Sequence, residues 1–222
     1  MPGLLSILAA MTLLLLIRHA VTETTGKRLP SPDTPLSARG REEAETLAER
    51  LRGVPLAAIY ASPLARCVKT AAPLARATRL EVRPVGGLRD TDYGEWSGRS
   101  LRQVARTRLW RALRERPSAV RFPGGETLAE VQARGVRALE DIAAAHPRGT
   151  VAVVCHADVV RLALMQLIGL HIDFIERVVV APASVSAVSI GHGIPRLLAL
   201  GCIGDLRHLA PRPRPAPRKV GG

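Results

Sequence analysis

The chain has few aromatic residues and few cysteines. Among its 222 residues, Phe, Tyr and Trp occur only twice each. So few rings offer little surface for stacking unpaired bases, which argues against a protein that binds single-stranded nucleic acid. The three cysteines, Cys67, Cys155 and Cys202, form no CxxC pair and have no histidine at metal-ligand spacing. They predict neither a disulfide framework nor a zinc site, and the expected location is a reducing cytoplasm.

No hydrophobic run is long enough to cross a membrane. Residues 1–17 are mostly apolar, but they fall short of the roughly 20 residues that a spanning helix needs. They also lack the basic start and the small-residue cleavage site of a signal peptide. We therefore expect no membrane association. Residues 1–10 are expected to form a loose extension, with Met11 as an alternative start.

Acidic residues are outnumbered, with 19 Asp and Glu against 32 Lys and Arg and a formal charge of +13. This charge is compatible with nucleic acid, an anionic surface or an acidic substrate, and does not choose among them. Many arginines alternate with Glu and Ala on predicted helix faces, where a solvated surface explains them. The tail over 207–222 alternates Pro and Arg, which is typical of an extended segment. We expect a single domain over 11–206 and no nucleic-acid partner.

One apolar strand carries the first candidate site. The run from Leu13 to Ile17 predicts a strand buried on both faces, as in a parallel sheet. Arg18 and His19 follow it directly, at the edge where open α/β sheets bind their ligands. A cation beside an imidazole suits an anionic ligand attacked by a nitrogen nucleophile. The alternative is that Arg18 caps the strand and His19 is a core histidine.

A second predicted strand, 56–60, ends at a similar place. Ser62 fits the N-cap of the next helix and Pro63 its first position, so Arg66 lies in the first helical turn. Free amides and the positive end of the helix dipole favour a phosphate there. An ordinary exposed helix arginine is the alternative for Arg66.

A third predicted strand, 150–155, is rich in β-branched residues and runs into His156 before an apolar helix over 159–168. Thr127 and Glu130 predict a capping box for another helix. The remaining expected elements are helices over 38–51, 101–116 and 128–145, and short strands over 80–84, 185–190 and 196–200.

Together these segments resemble the histidine phosphatase superfamily, the phosphoglycerate-mutase-like fold. The resemblance covers about residues 12 to 205, in the order of the family's motifs. Its motifs are Leu-Ile-Arg18-His19-Ala-Val-Thr22, Ser62-Pro63-Leu64-Ala65-Arg66, Tyr93-Gly94-Glu95-Trp96-Ser97-Gly98, Phe122-Pro123-Gly124-Gly125-Glu126 and Cys155-His156-Ala157-Asp158. The resemblance implies an α/β fold, a three-layer α/β/α sandwich with a mostly parallel central sheet.

The resemblance also implies the chemistry. His19 would attack the phosphorus of a bound monoester and form a phosphohistidine, which water then hydrolyses. Arg18 and Arg66 would bind the phosphoryl oxygens, and His156 would donate a further hydrogen bond. The further substrate-binding positions would be Thr22 and Ala157. No metal or other cofactor is expected, the partner is a small phosphorylated substrate, and a homodimer is allowed.

The leaving alkoxide also needs a proton. Most family members have a glutamate four residues before the glycine matched to Gly94, and here that position is Asp90. Its shorter side chain keeps the carboxyl group, so Asp90 is the predicted acid, with Glu95 and Asp92 as runners-up.

Alanine replaces the glycine that usually follows each catalytic histidine, at Ala20 and Ala157. The loops then need φ below zero, because alanine rarely adopts positive φ. A positive φ at either position would favour an inactive relative.

Three functions fit these motifs: a phosphatase, a mutase that returns the phosphoryl group to its substrate, and a non-catalytic module that binds phosphate-bearing ligands or nucleic acid. A short loop between Trp96 and Phe122 and the Gly-Glu-Trp-Ser-Gly motif favour the phosphatase branch. The physiological substrate is left open, although the arginines over 89–121 suggest a second acidic group on it.

Overall fold

The computed structural model describes residues 11–191 and 193–204. The predicted extension over 1–10 and the tail over 207–222 lie outside these described residues. That residues 11–206 form a single domain stays a prediction.

Six strands form one mixed sheet at the centre of the molecule. They are β1 (Met11–Arg18), β2 (Ala58–Ala61), β3 (Val82–Pro84), β4 (Thr150–Cys155), β5 (Val185–Gly191) and β6 (Arg196–Cys202). Their order is β3-β2-β4-β1-β5-β6. The first four strands in this order are parallel, and β5 and β6 are antiparallel to their neighbours. The predicted α/β class with a mostly parallel sheet is confirmed.

The helices are α1 (Ala38–Arg50), α2 (Ala65–Thr78), α3 (Leu101–Val104), α4 (Arg108–Glu115), α5 (Leu128–Ala145) and α6 (Ala157–Leu167). The N-cap of α1 is Ser37, whose side chain accepts a hydrogen bond from the Gly40 amide. The predicted capping box of Thr127 and Glu130 is confirmed at the start of α5. None of the helices within the described ranges combines the length and hydropathy needed to span a bilayer.

The two faces of β1 explain the layered architecture. Leu14 and Leu16 pack in one apolar core with residues of α5 and α6. Leu15 and Ile17 pack in another core with residues of α1 and α2. Because successive side chains of a strand point to opposite faces, an unbroken apolar run serves both cores.

The predicted helix over 101–116 is wrong as a single element, because the structure divides it into α3 and α4. Thr107 lies between them as the N-cap of α4, and its Oγ1 accepts a hydrogen bond from the Trp110 amide at 3.1 Å. A threonine side chain offers the backbone this local alternative to a continuous helix.

The N-cap predicted at Ser62 is also wrong. The N-cap of α2 is Leu64, so Pro63 precedes the helix. The Ser62 amide instead donates to the Val154 carbonyl at 2.9 Å, which prolongs the pairing between β2 and β4. Arg66 nevertheless lies in the first turn of α2, as predicted.

Two motif loops approach each other so closely that both need glycine. A Cβ on Gly94 would lie 2.1 Å from the Pro123 carbonyl oxygen, and one on Gly125 would lie 2.2 Å from that of Asp92. Gly94 also has a φ of +51°, which disfavours side chains. These contacts fix the loop over 92–98 against the loop over 122–126.

Candidate active site

The structure brings Arg18, His19, Arg66 and His156 together at the carboxyl edge of the sheet. Arg18 pairs in register with Cys155 across the parallel strands β1 and β4, so the next residues on both strands are neighbours. The ring centroids of His19 and His156 are accordingly 5.2 Å apart. The Arg66 side chain is 1% exposed and points inward. His19, His156 and Arg66 are therefore close together, and Arg18 ends the strand that carries His19.

His19 presents one free ring nitrogen. Its Nδ1 lies 2.8 Å from the carbonyl oxygen of Ala20. A carbonyl only accepts, so Nδ1 carries the proton and Nε2 keeps its lone pair. Burial, together with the nearby His156, lowers the pKa of His19 to about 3. The imidazole is therefore neutral near pH 7, as a nitrogen nucleophile requires.

His156 lies between a hydroxyl and a carboxylate. Its Nδ1 is 3.3 Å from Asp90 Oδ2, and its Nε2 is 2.9 Å from Ser62 Oγ. An ionised carboxylate only accepts, so Nδ1–H donates to Asp90 and the Ser62 hydroxyl donates to Nε2. Burial lowers the pKa of His156, and the adjacent Asp90 only partly opposes this shift.

Arg66 and Asp90 form a buried ion pair. Arg66 Nη2 lies 2.8 Å from Asp90 Oδ2, and its Nη1 donates to the carbonyl oxygens of Ser31 and Pro32 at 3.0 and 3.2 Å. Burial raises the pKa of Asp90, but His156 and Arg66 outweigh it, so the pKa lies below its ordinary value. Asp90 is therefore ionised in the free site.

Arg18 is held by the main chain. Its Nη1 donates to the Val180 carbonyl at 2.8 Å. The buried Nε atoms of Arg18 and Arg66 have no hydrogen-bond partner among the described residues. Each guanidinium group thus has an N–H that the described part of the free protein leaves unpaired.

The other two predicted binding residues lie in the loop after β1 and at the start of α6. Thr22 is buried, and its hydroxyl lies 2.8 Å from the Thr25 hydroxyl, within a polar turn. Ala157 is the first residue of α6 and follows the N-cap His156. The amides of a first helical turn have no intrahelical acceptor, and they carry the positive end of the helix dipole.

The alanines after the two histidines adopt ordinary backbone conformations. The non-glycine residues with positive φ in the described ranges are Arg79, Arg148 and Ala183. Ala20 and Ala157 therefore have the predicted negative φ, and neither replacement of glycine strains its loop.

The three candidate acids differ in position. Asp90 contacts both Arg66 and His156. Asp92 is exposed and its Oδ1 accepts from the Gly94 amide at 2.9 Å, while Glu95 is exposed as well. Of the three, Asp90 is the carboxylate placed to serve a reaction at this site.

A cleft of about 410 Å³ opens beside the ion pair of Arg66 and Asp90. Among the residues that line it are Ser31, Arg89, Ser97, Glu126 and Arg134. Among the described residues, Arg89 is the arginine of the stretch 89–121 that lines this cleft. Within the same part, no three His, Cys, Asp or Glu side chains are grouped so that they could hold a metal ion.

Sequence reasoning missed two participants. The sequence predicts a helix cap at Ser62, because a serine before proline fits that position, whereas in the structure its hydroxyl contacts His156. Arg134 on α5 looks like one of many helix arginines, yet it binds the backbone around Asp90. No local pattern marks either contact, since both join residues far apart in the chain.

The buried neutral His19 makes stability depend on pH. With a pKa of about 3 in the fold and 6.5 when unfolded, His19 takes up a proton on unfolding between these values. Its contribution to the free energy of unfolding is complete above pH 6.5 and decreases as the pH falls toward 3. The free energy of unfolding changes by at most about 1.4 kcal/mol per pH unit for one such proton.

Urea unfolding between about pH 4 and pH 7 measures this dependence. The free energy of unfolding should change less steeply with pH in His19→Gln than in the unaltered chain. Equal slopes would contradict the assigned pKa.

The sheet order and the cluster of two histidines and two arginines are those of the phosphoglycerate-mutase-like α/β class. A family model described as the histidine phosphatase superfamily (branch 1) matches residues 14–203, and the chain belongs to this family. The predicted family and enzyme class, a histidine phosphatase, are confirmed.

The relatives agree with this membership. Phosphoserine phosphatase 1 of Hydrogenobacter thermophilus is 36% identical over 167 residues, which cover 73% of this chain and 79% of that protein. A probable phosphoglycerate mutase of Proteus mirabilis is 29% identical over 202 residues, 87% of this chain and 93% of that protein. The native structure of a mycobacterial glucosyl-3-phosphoglycerate phosphatase superposes with a TM-score of 0.79 and 27% identity, over 86% of this chain and 99% of that one.

Proposed function

We propose that the chain is a phosphomonoesterase that acts through a phosphohistidine on His19. The observation that carries this proposal is the neutral imidazole of His19, whose Nδ1 is fixed on the Ala20 carbonyl at 2.8 Å. Nε2 is left to attack phosphorus, with Arg18 at the end of β1 and Arg66 in the first turn of α2. Attack forms the N–P bond and breaks the P–O bond to the leaving alcohol, and water then cleaves the N–P bond.

The phosphoryl oxygens take the donors that surround His19. Arg66 and Arg18 supply their guanidinium groups, which match a phosphate in charge and geometry. His156 donates from Nδ1, the nitrogen that faces Asp90 in the free site at 3.3 Å. The Ala157 amide at the start of α6 and the Thr22 hydroxyl are the further donors. Such a set positions the phosphoryl group and stabilises its charge, which is what phosphoryl transfer requires.

Asp90 is the proton donor. The phosphoryl group displaces its carboxylate from Arg66 and places negative charge beside it, and both changes raise the pKa of Asp90. The carboxyl group then binds a proton and passes it to the leaving alkoxide. In the second step the same carboxylate takes a proton from the attacking water.

The cleft beside Arg66 accommodates the rest of the substrate. Its volume of about 410 Å³ suits a compact molecule, and Arg89 lines it. The named phosphatase relatives are called after phosphoserine and glucosyl-3-phosphoglycerate, and both are phosphate esters that carry a carboxylate. We therefore propose a small carboxylate-bearing phosphomonoester as the substrate. The match over residues 14–203 also supports a single domain over 11–206.

A turnover assay with the purified full chain tests the function. We expect release of inorganic phosphate from p-nitrophenyl phosphate and faster release from phosphoserine or 3-phosphoglycerate. The second candidate, a mutase, is kept because a named relative is a probable phosphoglycerate mutase. Exchange between 3- and 2-phosphoglycerate that outpaces phosphate release would favour it. No turnover at all, with salt-sensitive DNA binding, would favour the non-catalytic module.

A further inference from the structure

Arg134 of α5 binds the backbone on both sides of the proposed proton donor. Its Nη1 donates to the carbonyl oxygens of Gly87 and Arg89 at 2.9 and 2.7 Å. Its Nη2 donates to the carbonyl oxygen of Asp90 itself at 2.8 Å. Residues 89–93, which we call the Asp90 segment, belong to no helix or strand. The carbonyl groups of Arg89 and Asp90 therefore depend on a side chain for their hydrogen bonds.

Glu126 completes the arrangement. It accepts from Arg134 Nε at Oε1, 2.7 Å away, and from Nη2 at Oε2, 2.8 Å away. The same Oε2 accepts from the Asp92 amide at 2.9 Å, farther along the Asp90 segment. Burial raises the pKa of Glu126, but the hydrogen bonds from Arg134 and Asp92 outweigh this, so the carboxylate stays ionised near neutral pH. The Arg134 and Glu126 side chains are each only 24% exposed.

The side chain of Asp90 has different attachments. Its Oδ2 contacts Arg66 and His156, the groups that would bind the phosphoryl oxygens. Its Oδ1 accepts a hydrogen bond from the Thr91 amide at 3.0 Å. A bound phosphoryl group would take over the contacts of Oδ2, and the position of the carboxyl group would then depend on its own backbone segment. The bonds from Arg134 go to the backbone and involve neither Arg66 nor His156, although Arg134 also lines the cleft.

We propose that Arg134 is a positioning residue that holds Asp90 at the distance needed to protonate the leaving alcohol. The inference rests on the proposed function, in which Asp90 is the acid. The guanidinium group suits this role because its planar fork serves three carbonyl groups and a carboxylate at once, which a lysine ammonium does not. Glu126 holds Arg134 in place and binds the Asp92 amide.

The test compares leaving groups. An alkyl phosphate such as phosphoserine needs a proton on its leaving alcohol, whereas p-nitrophenolate leaves readily without one. We expect Arg134→Gln to lower kcat on the alkyl ester by about 10- to 100-fold, as a displaced catalytic group does. On p-nitrophenyl phosphate the loss should stay below about threefold. Arg134→Lys should also slow the alkyl ester more than p-nitrophenyl phosphate, with a smaller loss. This variant provides the test if Arg134→Gln does not fold.

A double variant separates positioning from general weakening of the fold. If Arg134 acts through Asp90, then Asp90→Asn combined with Arg134→Gln should be no slower on the alkyl ester than Asp90→Asn alone. Arg137→Gln removes the same charge from the exposed face of α5 and should leave both rates unchanged. Equal losses on both esters, or additive losses in the double variant, would overturn the proposal. If Asp90→Asn slows both esters equally, Asp90 is not the acid, and the role proposed for Arg134 fails as well.

Discussion

His19→Ala is expected to abolish phosphate release, with kcat lowered by about four orders of magnitude or more. In the proposed mechanism the variant lacks the atom that bonds to phosphorus. The remaining arginines and His156 would then bind the substrate without a nucleophile to receive the phosphoryl group. The measurement is steady-state phosphate release from p-nitrophenyl phosphate. Mass spectrometry after an alkaline quench should show a phosphorylated histidine at His19 in the unaltered chain and none in the variant.

His171→Ala is the matched control for this loss. The His171 side chain is 64% exposed, and its Nδ1 contacts Asp173, two residues along the chain. We expect its turnover to equal that of the unaltered chain. Substantial turnover in a folded His19→Ala variant would contradict the phosphohistidine mechanism.

Asp90→Asn is expected to slow the alkyl ester by about 10²- to 10⁴-fold, the usual range for removing a general acid. The loss on p-nitrophenyl phosphate should be much smaller, since that leaving group needs little protonation. The same change leaves the buried Arg66 without its anion, so the free energy of unfolding should fall by up to about 3 kcal/mol. Rates on both esters and a urea unfolding curve measure the two effects separately.

Glu95→Gln serves as the control for Asp90. Glu95 is an exposed carboxylate from the same loop and was a runner-up for the acid. Neither ester should react more slowly in this variant. Should Glu95→Gln show the leaving-group split and Asp90→Asn not show it, the two assignments would be exchanged.

The parts of the site that the sequence predicted are those attached to regular elements. His19 and His156 each follow a strand whose apolar run is unmistakable, and the parallel pairing of β1 and β4 makes them neighbours. Arg66 was placed in the first turn of α2 even though the predicted cap was wrong, because helix starts are uncertain by only a few residues. The local sequence pattern and the sheet topology are sufficient to predict where these residues lie.

The parts that sequence reasoning missed depend on contacts between distant residues. Ser62 meets His156, and Arg134 meets the carbonyl groups of Arg89 and Asp90, through side-chain geometry that no periodicity records. The break at Thr107 is a different case, since a threonine fits both a helix interior and a cap. In the structure its side chain caps α4 through the Trp110 amide.

The register of β1 on β4 has a consequence for how this enzyme diversifies. Arg18 and Cys155 are paired at the ends of β1 and β4, the two central strands, whose side chains are mostly buried. A slip of one residue would turn His156 to the opposite face, so the spacing of His19 and His156 is as resistant to change as the sheet itself. The cleft, in contrast, is lined by loop residues such as Arg89 and Ser97. Mutations of these loop residues can therefore change which ester binds without changing the arrangement of His19 and His156.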